Sequence, residues 1–78
     1  MNKIKIFNLI KKSLRTKVKV NEKSSANNID EWDSLGSLSI LTALDKATKG
    51  KTSKIKSLAE ANSVSKILDI LKKENILK

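Results

Sequence analysis

From residue 35 onward a leucine recurs at every third position, at Leu35, Leu38, Leu41 and Leu44, with Ile40, Ala43 and Ala47 beside them. Spacing of three to four residues is a helical period, and it makes residues 34–49 the most regular amphipathic helix in the chain. Asp33 or Ser34 supplies its N-cap, because a short oxygen side chain satisfies an orphan amide of the first turn. Lys46 and Lys49 suit the negative end of the dipole, and Gly50 is the expected stop. Weaker patterns flank this helix. Ile4, Phe7, Ile10 and Leu14 predict a helix over 3–15 with its lysines outward. Ser53 can cap a short helix over 53–61 presenting Ile55, Leu58 and Ala61. A last helix over 63–74 buries Val64, Ile67, Leu68 and Leu71, and leaves Ile76 and Leu77 in a tail expected to fray. Thr16 to Asp33 form a polar loop that Val18, Val20 and Ile29 can pin to the core. A loop that long in a small domain is often functional. Each stripe is narrow and one-sided, so the helices must pack on one another. The expectation is a single all-α domain over residues 1–78, a small four-helix bundle with a long first loop and a short third helix.

A chain of 78 residues is one domain at most, with a thin core. Hydrophobic residues at 38% make it too apolar for simple disorder, and the absence of proline favours helices. It contains no cysteine, histidine or tyrosine. That inventory excludes disulfides, a thiolate nucleophile, an imidazole base and a zinc-finger-type site. Lysines break the first 17 residues before an apolar run reaches signal-peptide length, and no segment approaches the ~20 apolar residues of a membrane span. The expected location is the cytoplasm.

The net charge is +9, with 16 lysines and Arg15 as the one arginine. Two readings are open: a coding sequence rich in A and T, or an acidic partner. The distribution along the chain is more telling. Residues 1–29 carry eight bases and one acid; residues 30–45 carry Asp30, Glu31, Asp33 and Asp45 and no base; residues 46–78 carry nine bases and three acids. An acidic island of net charge −4 therefore interrupts a basic chain, and Ser34 lies inside it.

Ser34 follows the long loop and opens the strongest helix. An anion attached there would meet unpaired backbone amides and the positive end of the dipole. Gly36 in the first turn removes a side chain beside the serine. These features suit covalent attachment through a phosphate. Without a histidine to act as base, they do not suit autonomous nucleophilic catalysis. The plain alternative is that "DS" before an apolar run is an ordinary helix cap.

The stretch "WDSLGSLSILTAL" resembles the attachment motif of the acyl carrier proteins, whose Asp-Ser-Leu signature opens their second helix. The matching order of helices extends the likeness over nearly the whole chain, although Asp33-Ser34-Leu35 is its one specific motif. The resemblance implies a four-helix bundle of that type and no enzymatic activity. It implies that a phosphopantetheinyl transferase moves the 4′-phosphopantetheine of coenzyme A onto Ser34. Asp33 would contribute to recognition by the transferase and to positioning its magnesium, and Leu35 would be an apolar docking contact. Gly36, Trp32, Asp30 and Glu31 complete the implied recognition surface. Trp32 has a second reading, as an aromatic that closes the loop over the core. The implied role is transport: an acyl or aminoacyl group, held as a thioester on the arm, passes between partner enzymes at high effective concentration.

Fatty-acid carriers are strongly acidic along the second helix, whereas this chain has Ser39, Thr42 and Lys46 there. Thr48 is small and polar where related carriers often have a bulky apolar residue. The changed charge points to a specialised carrier for a polysaccharide, lipid-modification or aminoacyl pathway, and Thr48 to a different cavity for an acyl chain. Small carriers of this type resemble monomers, and no spare apolar stripe argues otherwise. One rival is a small basic nucleic-acid-binding helical domain, which explains +9 but leaves the acidic island without a purpose. A second is a peripheral membrane protein using residues 3–15, and a third is an unmodified carrier-like interaction domain.

Overall fold

The computed structural model describes residues 1–77. Three α-helices, α1 (Lys3–Leu14), α2 (Ser34–Ala47) and α3 (Val64–Lys73), are accompanied by one 3-10 helix, Lys56–Glu60, between α2 and α3. Among the described residues there is no strand, only an isolated bridge between Ser25 and Ser63. The all-helical class is as expected. The short third helix over 53–61 is not an α-helix. Ser53 does not cap it, because its hydroxyl donates to the Gly50 carbonyl at 2.8 Å within a turn. Ile55 occupies the cap position with no side-chain bond, so only a five-residue 3-10 stretch forms. The fold is thus three α-helices and a 3-10 helix, with a radius of gyration of 11.1 Å.

The helix starts follow capping chemistry. Asn2 accepts from the Lys5 amide, Asp33 from that of Gly36 and Ser63 from that of Lys66. The ends share one device. Arg15, Lys49 and Asn75, one or two residues past the helix, each adopt a left-handed conformation. In each case the next amide returns to a carbonyl five residues back: Thr16 to Lys11, Gly50 to Asp45, and Ile76 to Leu71. This is the Schellman arrangement, built here with non-glycine residues. It ends α2 at Ala47, so Lys49 lies beyond the helix and not in its last turn. It also folds the chain back after α3, so that Leu77 is 6% exposed and Ile76 half-buried; the tail is packed, not frayed.

Two of the apolar stripes differ from expectation. In α1 the buried residues are Ile6, Ile10 and Leu14, while Ile4 is 68% exposed. In α2 they are Gly36, Ile40 and Leu44, while Leu35 and Leu38 are 75% and 59% exposed. Both buried faces run at intervals of four residues, which keeps successive side chains on a single line toward the neighbouring helix. The stripe of α3 is as read: Val64, Ile67, Leu68 and Leu71 are all buried. From the long loop Val20, Ile29 and Trp32 join the core, whereas Val18 stays 48% exposed.

α1 and α2 pack directly together, and the 3-10 helix bridges α2 and α3. Leu14, at the end of α1, touches the position of Gly36 at the start of α2. Met1, ahead of α1, shares a depression with Ala47 and Thr48 at the end of α2. The two helices are therefore antiparallel. Asn75 and Ile76 line the same depression, which brings the end of α3 to the end of α2. The bundle accordingly has one end at Ser34 and another at Lys49–Lys54.

Candidate functional site

The long loop is polar but ordered. Ser24 and Asn21 bond reciprocally, with the Ser24 hydroxyl accepting from the Asn21 amide at 2.9 Å and the Ser24 amide donating to the Asn21 carbonyl at 3.0 Å. Asn28 accepts from the Ser25 amide at 2.9 Å, and its own side-chain amide donates to the Lys23 carbonyl at 3.1 Å. These short side chains replace the helix and sheet bonds that the segment lacks. The loop is then tied to the start of α3 through Ala26 N to Asn62 O and Val64 N to Ser24 O, both 2.9 Å. With Ile29 and Trp32 buried, the chain has little freedom where it enters α2.

That entry is set by Asp33. Its backbone is extended, its carboxylate accepts from the Gly36 amide at 2.9 Å, and its carbonyl accepts from the Ser37 amide at 2.9 Å. Asp33 is thus the N-cap, and Ser34 is the first residue of the helix, free of capping duty. Ser34 is exposed, and its hydroxyl forms no hydrogen bond among the described residues. The amides of Ser34 and Leu35 have no carbonyl within the helix to bond, so they remain donors beside that hydroxyl.

Gly36 is buried for a reason other than giving room to Ser34. A Cβ there would collide with the Glu31 carbonyl oxygen and stand 2.7 Å from Leu14 Cδ2. Glycine lets the 29–32 turn and α1 close against the first turn of α2. Gly36 is therefore an internal spacer and offers no surface to a partner. Trp32 is likewise removed from the surface at 3% exposure, which corresponds to its reading as the aromatic that closes the loop over the core. Its indole N–H is buried without an acceptor among the described residues.

The structure brings the remaining expected residues together on the outside. Asp30, Glu31 and Asp33 are all exposed around Ser34, and Leu35 projects beside it. Leu38 belongs to this surface too, although the leucine spacing had placed it in the core. Continuing along the exposed face of α2 are Ser39, Thr42 and Lys46. The residue row from Leu35 to Lys46 is one solvent-facing line that is apolar at its start, hydroxylated in the middle and basic at its end. Thr48 is buried, and its hydroxyl donates to the Leu44 carbonyl at 2.7 Å. A groove of about 310 Å³ between α2 and the 3-10 helix is lined by Leu41, Thr52, Ser53, Ile55, Lys56 and Ala59.

No group of three or more His, Cys, Asp or Glu side chains among the described residues is arranged to hold a metal ion. Among the described residues no helix is long and apolar enough to cross a membrane. The chain matches no family model, no curated protein and no solved structure.

Proposed function

We propose that the protein is a carrier, modified on Ser34 with 4′-phosphopantetheine by a phosphopantetheinyl transferase, and that it shuttles an acyl or aminoacyl group between partner enzymes. The observation that carries this reading is the division of labour between Asp33 and Ser34. Asp33 caps α2 and leaves the next hydroxyl exposed, unbonded and beside two free amides. A serine serving only as a helix cap would have spent its oxygen on the third amide of the helix, as Asp33 does here.

The residues present fit a phosphodiester-linked arm. Ser34 would hold the phosphate at its side-chain oxygen, where the amides of Ser34 and Leu35 and the dipole of α2 favour negative charge. When attached, the arm supplies a thiol on which cargo is held as a thioester. That explains how a chain without cysteine could carry acyl groups. The rigid entry into α2 would present Ser34 in one orientation, and exposed Leu35 and Leu38 would give the transferase and later partners an apolar contact. On this reading the α1–α2 pair, the long loop and the 3-10 helix correspond to an acyl-carrier-type bundle, with the short third helix reduced to Lys56–Glu60. The groove beside Leu41 is open and small, which favours a short or polar cargo over a long chain buried in the bundle.

The test is intact mass before and after incubation with coenzyme A, magnesium and a broad-specificity transferase, with Ser34→Ala alongside. A gain of one phosphopantetheine in the wild type alone is expected. A folded sample that gains nothing, even with the transferase of its own organism, would leave Ser34 an exposed serine of no special use.

A further inference from the structure

The carrier reading makes no use of the other end of the molecule, and its charge is unexplained. Lys46, Lys49, Lys51, Lys54 and Lys56 fall within eleven residues, and no acid lies between Asp45 and Glu60. All five are exposed. Among the described residues none of them is in an ion pair; the pair found there joins Lys3 to Glu22. Lys49, Lys51 and Lys54 border two adjacent depressions at the end of the bundle, together with Gly50, Met1 and Ile76. The acids nearby are Glu74, on the rim of one depression, and Asp45, half-buried beneath Gly50. Five lysines against these two leave the end cationic.

We propose that this lysine-bearing end adsorbs the protein to an anionic lipid surface. The chemistry of the patch selects that occupant. Its cations are all lysines, compact point charges on flexible stems, with Lys49, Lys51 and Lys54 on the turns between α2 and the 3-10 helix and Lys46 and Lys56 on the flanking helices. Arginine, the residue suited to bidentate grip on a fixed carboxylate or phosphate, is absent from the patch. No exposed aromatic is available for stacking on bases, because Trp32 is in the core and Phe7 is half-buried. Mobile headgroups can rearrange beneath scattered lysines, whereas a nucleic acid or a folded acidic protein presents fixed charges that these lysines are not pre-arranged to meet. The apolar side chains on the rims of the two depressions, Met1, Ile55 and Ile76, are half-buried, so attachment is chiefly electrostatic and reversible. α2 is 14 residues long, so Ser34 stands about 21 Å from the patch, directed away from the surface. Adsorption is independent of the carrier reading; only the orientation of a loaded arm depends on it.

The experiment is co-sedimentation with vesicles of phosphatidylcholine alone, or with about 30% phosphatidylglycerol, at about 50 mM and 500 mM salt. The wild type should bind the anionic vesicles at low salt, not at high salt, and should leave neutral vesicles unbound in both. A Lys49→Glu/Lys51→Glu/Lys54→Glu variant should lose more than about a hundredfold in partitioning, at roughly fivefold per lysine. A Lys12→Glu/Lys17→Glu/Lys19→Glu variant, with the same change in net charge elsewhere, should stay within about tenfold of wild type, and circular dichroism of both would verify folding. Wild type that does not bind, or equal losses in the two variants, would overturn the proposal. So would tighter binding to polyadenylate RNA at the same salt, which would assign the patch to nucleic acid. Ser34→Ala should bind as wild type, so a failed modification assay leaves this result standing, and the reverse holds too.

Discussion

Leu14 at the end of α1 presses against Gly36 in the first turn of α2, with its Cδ2 2.7 Å from where a Cβ would stand. The Glu31 carbonyl closes the same point from the other side. This contact locks together α1, the end of the long loop and the helix that carries Ser34. A glycine inside a helix ordinarily costs about 1 kcal/mol relative to alanine. Gly36→Ala therefore sets a propensity gain against an overpacking cost of about 1–3 kcal/mol, and a backbone carbonyl yields less than a flexible side chain. Destabilisation is the expected outcome in urea denaturation. A midpoint at or above that of the wild type would show that the loop relaxes freely and that the entry to α2 is not locked.

Asp33 combines a cap with a charge, and the two can be separated. Asp33→Ala removes the bond to the Gly36 amide and should cost about 1 kcal/mol, whereas Asp33→Asn keeps an acceptor and should cost less than half of that. If the carboxylate is also used by a transferase, both variants should be modified more slowly than wild type despite their different stabilities. Modification of Asp33→Asn at the wild-type rate would reduce Asp33 to a cap.

The Lys3–Glu22 pair, at 2.8 Å, ties the start of α1 to the long loop. Hydrogen bonding and charge attraction from Lys3, with a smaller contribution from Lys72, hold the Glu22 carboxyl below its ordinary value of 4.5. A carboxyl with a lowered pKa in the fold stabilises it above the unfolded value and loses that contribution as pH falls through the folded one. Below about pH 4.5, melting temperature should fall more steeply for wild type than for Glu22→Gln. The difference should be small and should vanish in high salt, since the pair is exposed. Parallel melting curves down to pH 2 would remove the pair from any account of stability.

Arg15 ends α1 at φ 54°, in the region that glycine enters without steric cost. Its amide and that of Thr16 already make the returning bonds, so the geometry does not depend on the side chain. Arg15→Gly should therefore stabilise the protein by up to about 1 kcal/mol, the relief of a left-handed L-residue exceeding the added freedom of the unfolded chain. A lower melting temperature would mean that the arginine makes a favourable surface contact outweighing this relief.

How much of this was legible in the sequence differs by helix. α3 could be read residue by residue, because Ser63 caps it and its buried side chains are all large and apolar. α2 misled at its start. Gly36, on the buried face, contributes no apolar signal, while Leu35 and Leu38 contribute two and face water. The true line, Gly36–Ile40–Leu44, was hidden by a glycine whose value lies in what it lacks. Ile4 misled in the same way, by completing a regular stripe with Phe7 and Ile10 that drew attention from Ile6. The packed tail could not be anticipated from composition, since it depends on Asn75 turning the chain back. The prominence of Ser34 was legible because it rests on local chemistry: an acidic residue before it, an apolar helix after it, and no competing base.

The exposed leucines give the sharpest test of that misreading. Leu44 is fully buried, and Leu44→Ala should cost about 2–5 kcal/mol through lost burial and the cavity left behind. Leu35→Ala and Leu38→Ala remove side chains already in water and should change stability by no more than about 0.5 kcal/mol. All three are leucine-to-alanine changes in one helix, so propensity nearly cancels and burial decides the contrast. Leucines held out in water at 75% and 59% exposure contribute little to folding, which leaves them available for the docking contact proposed beside Ser34. If Leu35 and Leu38 serve a docking transferase, their alanine variants should fold as wild type yet be modified more slowly at subsaturating protein, with the deficit closing as carrier concentration rises. Large losses of stability in either variant would place these leucines back in the core. Wild-type stability with unchanged modification kinetics would remove them from the docking surface.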